Sequence, residues 1–131
     1  MNEVRNADLH CHSTVSDGLL SPADVVRRAQ ANGVDLLALT DHDEIGGLAE
    51  ARSAAAEIGV RFVDGVEVSI SGGDDQTVHI VGLGIDPDHA PLRAGLARIR
   101  SGRDARAGRM AEALDKAGIH GAYAGALRHA G

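Results

Sequence analysis

Val34-Asp35-Leu36-Leu37-Ala38-Leu39 is a nearly continuous apolar run that stops abruptly at Thr40-Asp41-His42-Asp43. So short and so apolar a segment reads as a strand buried on both faces, the composition of a parallel sheet covered by helices. Helical patterns lie on either side of it. Ser21-Pro22-Ala23-Asp24 is a helix start, with a capping hydroxyl, proline at the first helical position and an acid two residues later. That helix runs through Val25, Val26 and Ala29 to Asn32, with Gly33 as its stop. A second helix carries Leu48, Ala51, Arg52, Ala55 and Ile58 at helical spacing and stops at Gly59. Residues 4–10 form the first strand. Val60–Val63 is the third, leading through Asp64-Gly65 to residues 66–71. Gly72-Gly73-Asp74-Asp75-Gln76 is a turn signal before a strand over residues 77–85, which together predict a β-hairpin. Residues 91–117 are helical in pattern, weakened at Gly102 and Gly108, and residues 123–130 form one more short helix. The order β-α-β-α-β-β-α predicts an α/β fold with a mainly parallel sheet and one β-hairpin.

The chain has 131 residues, the size of one domain. With one Phe, one Tyr and no Trp, its core must be packed by Val, Leu, Ile and Ala. No apolar run reaches the length of a membrane span, and Met1-Asn2-Glu3-Val4-Arg5 lacks the apolar core of a signal peptide. The one cysteine, Cys11, has no internal disulfide partner, which suits a reducing cytoplasm. The charge is divided unevenly. Residues 1–91 hold 5 Arg against 16 acidic residues, a balance of −11, while residues 92–131 hold 7 Arg and 1 Lys against 3 acidic residues, a balance of +5. The acidic part, rich in histidine, suits divalent cations, and the basic part suits a phosphate-bearing ligand or an ordinary solvated helix. These two stretches are the chain's expected functional divisions.

Three strand ends, those of residues 10–12, 40–43 and 67, carry metal-ligand chemistry. His10-x-His12 puts two imidazoles on one face of a strand, since side chains alternate with period two. Cys11, between them, then points the other way, into the protein. Asp17 follows from a loop closed by Gly18, and Asp41-His42-Asp43, Glu67 and His79 follow at or within later strands. Parallel α/β folds gather functional residues at the C-terminal ends of their strands. A mixed set of imidazoles and carboxylates matches Zn²⁺, Mn²⁺ or Fe²⁺ better than Mg²⁺ or Ca²⁺. Without a thiolate cluster, a closed structural zinc site is not expected. Clusters of this kind hold two or more metals and hydrolyse phosphate esters.

Four motifs in order, Asp8-Leu9-His10-Cys11-His12-Ser13 with Ser16-Asp17-Gly18, Thr40-Asp41-His42-Asp43, Gly65-Val66-Glu67, and His79-Ile80-Val81-Gly82-Leu83-Gly84, resemble the PHP (polymerase and histidinol phosphatase) domain. The last motif and the Arg-rich segment after it resemble the branch of 3′,5′-nucleotide bisphosphate phosphatases and 5′-to-3′ exoribonucleases that act on short RNA. The resemblance implies the N-terminal part of a distorted (β/α)₇ barrel. It also implies two to three divalent ions. His10, His12 and Glu67 would hold one, with Glu67 bridging to another. Asp17 and His42 would hold the second, and Glu67 and His79 would contribute to the third. Asp41 and Asp43 are read as partners that orient His42. The nucleophile would be a metal-activated water, Asp17 being the one side chain counted as a catalytic candidate. Arg100 and Arg103 lie where this branch approaches the substrate phosphate, and guanidinium pairs suit that task. Ser13 is a weaker phosphate candidate, and His89, His120 and His129 read as surface or capping residues.

The family's later motifs, an Arg-x-His segment, a further ligand histidine and a closing Asp-x-His, do not occur here. The chain is therefore expected to be a fragment of a longer protein or a truncated homologue. The leading expectation is a metal-dependent phosphoesterase acting on a small phosphorylated nucleotide or short RNA. The alternatives are a histidinol-phosphate-type phosphatase or a truncated metal-binding domain without catalysis. An open sheet edge and an uncovered apolar face would favour self-association.

Overall fold

A computed structural model of the chain describes residues 4–71 and 76–129. Its elements run β1 (Ala7–Cys11), α1 (Pro22–Ala31), β2 (Leu36–Leu39), α2 (Leu48–Ile58), β3 (Arg61–Ser71), β4 (Thr77–Leu83), α3 (Ala90–Lys116) and α4 (Ala122–Leu127). One four-stranded sheet has the order β1-β2-β3-β4. The first two pairings are parallel and β3–β4 is antiparallel. This is the α/β architecture expected, with one hairpin on a parallel sheet.

The local signals explain most boundaries. The Ser21 hydroxyl accepts the Asp24 N–H at 3.2 Å, and Pro22 opens α1. Gly59 ends α2 in the left-handed region at φ 77°, where a Cβ is unwelcome. β2 is buried along almost its whole length, with Leu37, Ala38 and Leu39 at 0–1% exposure. Leu37 and Leu39 pack with Val26 and Ala29 of α1 and with Leu48, Ala51, Ala54 and Ala55 of α2. The alanines allow α1 and α2 to approach closely over the same face of the sheet. Each fully buried Val or Leu here contributes about 1.5–3 kcal/mol of burial free energy.

Several details differ from the sequence expectation. The first strand begins at Ala7 because Arg5 and Asn6 donate their N–H groups to the Asp35 carboxylate instead of a strand ladder. The third strand is a single element from Arg61 to Ser71, with Asp64-Gly65 inside it rather than between two runs. Gly65 sits where β3 crosses close to β2: a Cβ there would stand 2.7 Å from Thr40 Cγ2 and 2.9 Å from the Leu39 carbonyl oxygen. The long helix α3 continues through Gly102 and Gly108 without interruption. Residues 72–75 of the hairpin turn lie outside the described residues.

The hairpin has two unlike faces. Glu67, Ser69, His79 and Val81 share one, since Glu67 pairs with Val81 and Ser69 with His79. Ile70, Val78 and Ile80 share the other and are about half exposed.

Candidate metal centre

The centre is built where the parallel strands end. β2 gives way to residues 41–43, which continue the parallel pairing with β3. Glu67 donates its N–H to the Asp41 carbonyl (3.1 Å), and Asp43 donates its N–H to the Glu67 carbonyl (2.9 Å). This ladder sets His42 opposite Glu67. From the other side, β1 delivers His10, and His12 follows directly after its end. The chain then folds back so tightly that a Cβ on Gly18 would lie 2.4 Å from the His12 carbonyl oxygen. Gly18 donates its N–H to the Ser13 carbonyl at 2.8 Å, and the tight loop carries Asp17 over His12 and His42.

Glu67 is the hub. Its Oε2 lies 2.8 Å from His10 Nε2, 3.1 Å from His12 Nε2 and 3.6 Å from His42 Nδ1, and its Oε1 lies 3.7 Å from His79 Nδ1. Asp17 reaches His12 Nδ1 and His42 Nε2, both at 3.5 Å. Three overlapping groups result: His10-His12-Glu67, His12-Asp17-His42 and His42-Glu67-His79. His12 and His42 stack with ring centroids 4.5 Å apart.

Glu67 is only 6% exposed. Burial pushes its carboxyl up, but the His10 hydrogen bond and the neighbouring His42, His10 and His12 more than offset this and hold it below the ordinary carboxylate value. It therefore stays ionised at neutral pH.

The donor set fits divalent metal ions. Ligand atoms at 2.0–2.2 Å from a common ion stand roughly 3.0–3.5 Å from one another. The separations around Glu67 and Asp17, 2.8–3.7 Å, bracket that range. The buried Nδ1 atoms of His12 and His42 also lack a hydrogen-bond partner among the described residues, as ring nitrogens facing an ion would. Cys11 does not join them. Its thiol donates to the Ala38 carbonyl at 3.2 Å, and burial, with Asp8 and Asp41 nearby, pushes it up to about 12.

All six residues expected as ligands converge on this centre. Asp41 and Asp43 stand beside it in none of the three groups. Asp41 accepts the Ser13 N–H and hydroxyl, both at 2.7 Å, and the Ser16 hydroxyl at 2.6 Å. It thus ties down the loop that carries Asp17. Ser13, fully buried in this network, is closed to a phosphate. Asp43 accepts the Ser69 N–H at 2.6 Å and faces Arg103 at 3.2 Å. Arg100 donates to the Asp43 carbonyl at 2.6 Å and lies 3.3 Å from Glu44. Both arginines thus reach the 42–44 loop across some sixty residues of sequence. Sequence reasoning missed Ser16 and Ser69; the hydroxyl of Ser69 also lies 3.4 Å from His79 Nδ1. Ser69 carried a signal, being two residues beyond Glu67 on the same strand face. His89, His120 and His129 are exposed and outside the centre.

An α/β half-barrel with histidines and carboxylates converging at its strand ends defines a protein with a candidate metal site. More narrowly, residues 8–117 match the PHP domain, and the chain belongs to that family. It is 58% identical over 125 residues to a 3′,5′-nucleoside bisphosphate phosphatase from Chromobacterium violaceum, covering 95% of this chain and 44% of that protein. It is 49% identical over 123 residues to a 5′-3′ exoribonuclease from Haemophilus influenzae, covering 94% and 44%. The chain thus spans less than half the length of these relatives. A solved structure of an inferred metal-dependent phosphoesterase from Bifidobacterium adolescentis superposes with a TM-score of 0.76 at 33% identity, covering 85% of this chain and 38% of that one.

Proposed function

We propose that this chain is the metal-carrying part of a PHP phosphoesterase that hydrolyses phosphate esters of a small nucleotide, of 3′,5′-bisphosphate type, or of short RNA 5′ ends. The observation that carries this reading is the single buried carboxylate of Glu67, shared by two of three overlapping ligand groups, in a chain 58% identical to a bisphosphate phosphatase. His10, His12 and Glu67 would hold one ion, Asp17 and His42 a second, and Glu67 and His79 would contribute to a third. The ions, Mn²⁺, Zn²⁺ or Fe²⁺, would polarise a phosphoryl oxygen and make a water acidic near neutral pH. Around them, Glu67 supplies a fixed negative charge. Asp17, the most exposed carboxylate of the set, is placed to accept a proton at the mouth of the site. Asp41 and Asp43 hold the flanking loops still. Residues 1–91 carry this chemistry, and residues 92–131 form the basic helical segment facing the substrate. No helix among the described residues is long and apolar enough to cross a membrane. The lone thiol of Cys11 suits the reducing cytoplasm in which we place the chain.

The test is metal loading followed by phosphate release from adenosine 3′,5′-bisphosphate. The chain should retain two to three equivalents of Mn²⁺ or Zn²⁺. The polypeptide that bears it should release inorganic phosphate in a reaction stopped by chelator and restored by metal. Full loading with no ester hydrolysed would favour the metal-binding domain without catalysis.

The same reading includes self-association. β4 is an edge strand, and Val78 and Ile80 on its outer face are half exposed. Sedimentation of the chain should show association that grows with concentration; a monomer throughout would remove this element.

A further inference from the structure

Of the candidate ligands Asp17 is the most exposed, with 65% of its side chain open to solvent, and a turn carries it rather than a strand end. Little packing holds it, so its direction is set by the main chain beneath it and the polar groups beside it. That main chain is tied from two sides. Within the loop, Ser16 and Gly18 donate their N–H groups to the Ser13 carbonyl at 3.1 and 2.8 Å, and Thr14 donates to the Leu20 carbonyl at 2.8 Å. Across the fold, the buried Asp41 carboxylate accepts the Ser13 N–H and the Ser16 hydroxyl on Oδ1 and the Ser13 hydroxyl on Oδ2. The Ser16 oxygen stands between two carboxylates, 2.6 Å from Asp41 Oδ1 and 3.4 Å from Asp17 Oδ1. A hydroxyl has one proton to donate. The shorter contact has the length of a charge-assisted O–H···O⁻ bond, about 2.5–2.7 Å, and the longer one lies beyond the ordinary range. The proton is therefore on the Asp41 side, and Asp17 faces only the lone pairs of that oxygen. Among the described residues no main-chain N–H caps the Asp17 carboxylate either. Both its oxygens are left for the imidazole side, where His12 and His42 lie at 3.5 Å.

We propose that Ser16 is a positioning residue for Asp17, and thereby for the ion that Asp17 and His42 would hold. The inference rests on the metal-centre part of the phosphoesterase reading and extends it to a residue outside the three ligand groups. Ser16 acts in two ways. Its bond to Asp41 fixes the main chain one residue before Asp17, so the exposed carboxylate stays on the side of the loop nearest His12 and His42. With its proton committed to Asp41, the same oxygen repels the ionised Asp17 carboxylate and steers it toward a cation. A buried carboxylate is costly without its donors, so Asp41 holds that proton firmly. Asp41 thus reaches the centre without entering it, through a hydroxyl whose polarity it sets.

The test is equilibrium dialysis of the chain against Mn²⁺, with bound metal counted by elemental analysis, so that binding is read independently of activity. Ser16→Ala should weaken one equivalent by about tenfold or more, the cost typical of removing an outer partner of a metal ligand, and leave the others unchanged. Ser16→Thr returns a hydroxyl to the same position and should restore that equivalent. A double-mutant cycle separates positioning from a general loosening of the loop. Asp17→Ala should weaken the same equivalent, and adding Ser16→Ala to it should cost less than about twofold more, because Ser16 acts through Asp17. Equal weakening of every equivalent, a Thr variant that behaves like the Ala variant, or full additivity with Asp17→Ala overturns the proposal. Selective, Asp17-dependent weakening in a protein that hydrolyses no phosphate ester would leave Ser16 in this role and remove the phosphoesterase reading. Bisphosphate hydrolysis with Ser16→Ala binding metal as the parent does would do the reverse.

Discussion

Glu67→Ala is expected to strip metal from the centre more completely than any other single substitution. Its two oxygens face four imidazoles, and it stands in two of the three ligand groups. Its loss therefore disturbs more than one ion. Losing even an outer partner of a metal ligand typically costs 10–100-fold in affinity, so removing this shared carboxylate should cost at least about 100-fold. Asp17→Ala, which touches one group only, should cost less. Elemental analysis after gel filtration gives the order directly, and unchanged metal content in Glu67→Ala would remove the shared role. The carboxylate also sets an acid limit. Its folded pKa is lowered from 4.5, so its stabilising contribution is present above that pH. It is lost as the pH falls through the lower folded value.

Asp43→Ala should be the most damaging change outside the ligands. Asp43 is fully buried and holds φ at 52°, a region that Asp tolerates better than most residues. Its carboxylate holds the Ser69 N–H and faces Arg103. Hydrogen bonds to a charged group contribute about 1.5–3 kcal/mol, and the half-exposed Arg103 adds little beyond that. A loss of about 2–3 kcal/mol should lower the melting temperature by roughly 6–12 °C in a chain of this size. Asp43→Asn keeps the backbone preference and the bond to Ser69 and should lose less than half as much. Metal affinity should fall with Asp43→Ala as well, because His42 is the adjacent residue. A thermal unfolding curve within a degree or two of the parent would show that the loop needs no such tie.

The candidate ligand residues were legible because strand periodicity and strand ends are local properties. His10 and His12 are two apart, and Asp41-His42-Asp43 follows an apolar run; neither pattern needs knowledge of distant residues. The helix ends at Ser21-Pro22 and Gly59 were legible for the same reason. Gly65 was not, because glycine serves equally in a turn or at a close approach. Only the position of Thr40 and Leu39 across the sheet decides which. The partners of Asp41 and Asp43 were hidden likewise, since they depend on which loops the fold brings near. Arg100 and Arg103 announced positive charge but not its destination, the main chain of a loop nearly sixty residues earlier.

The way α3 is fastened gives it the mechanics of a lever. Leu96, its one fully enclosed side chain, serves as the fulcrum. Arg100 and Arg103 grip the carbonyl oxygens of Asp43 and His42, on a short arm of about 10 Å measured to Arg103. The arm from Leu96 to Lys116 is about 30 Å. A displacement imposed on the far end therefore reaches the His42 loop reduced about threefold, while a force applied there arrives multiplied by the same ratio. A load of modest strength on the distal helix is thus felt at His42 as a small, firm adjustment rather than as a large excursion.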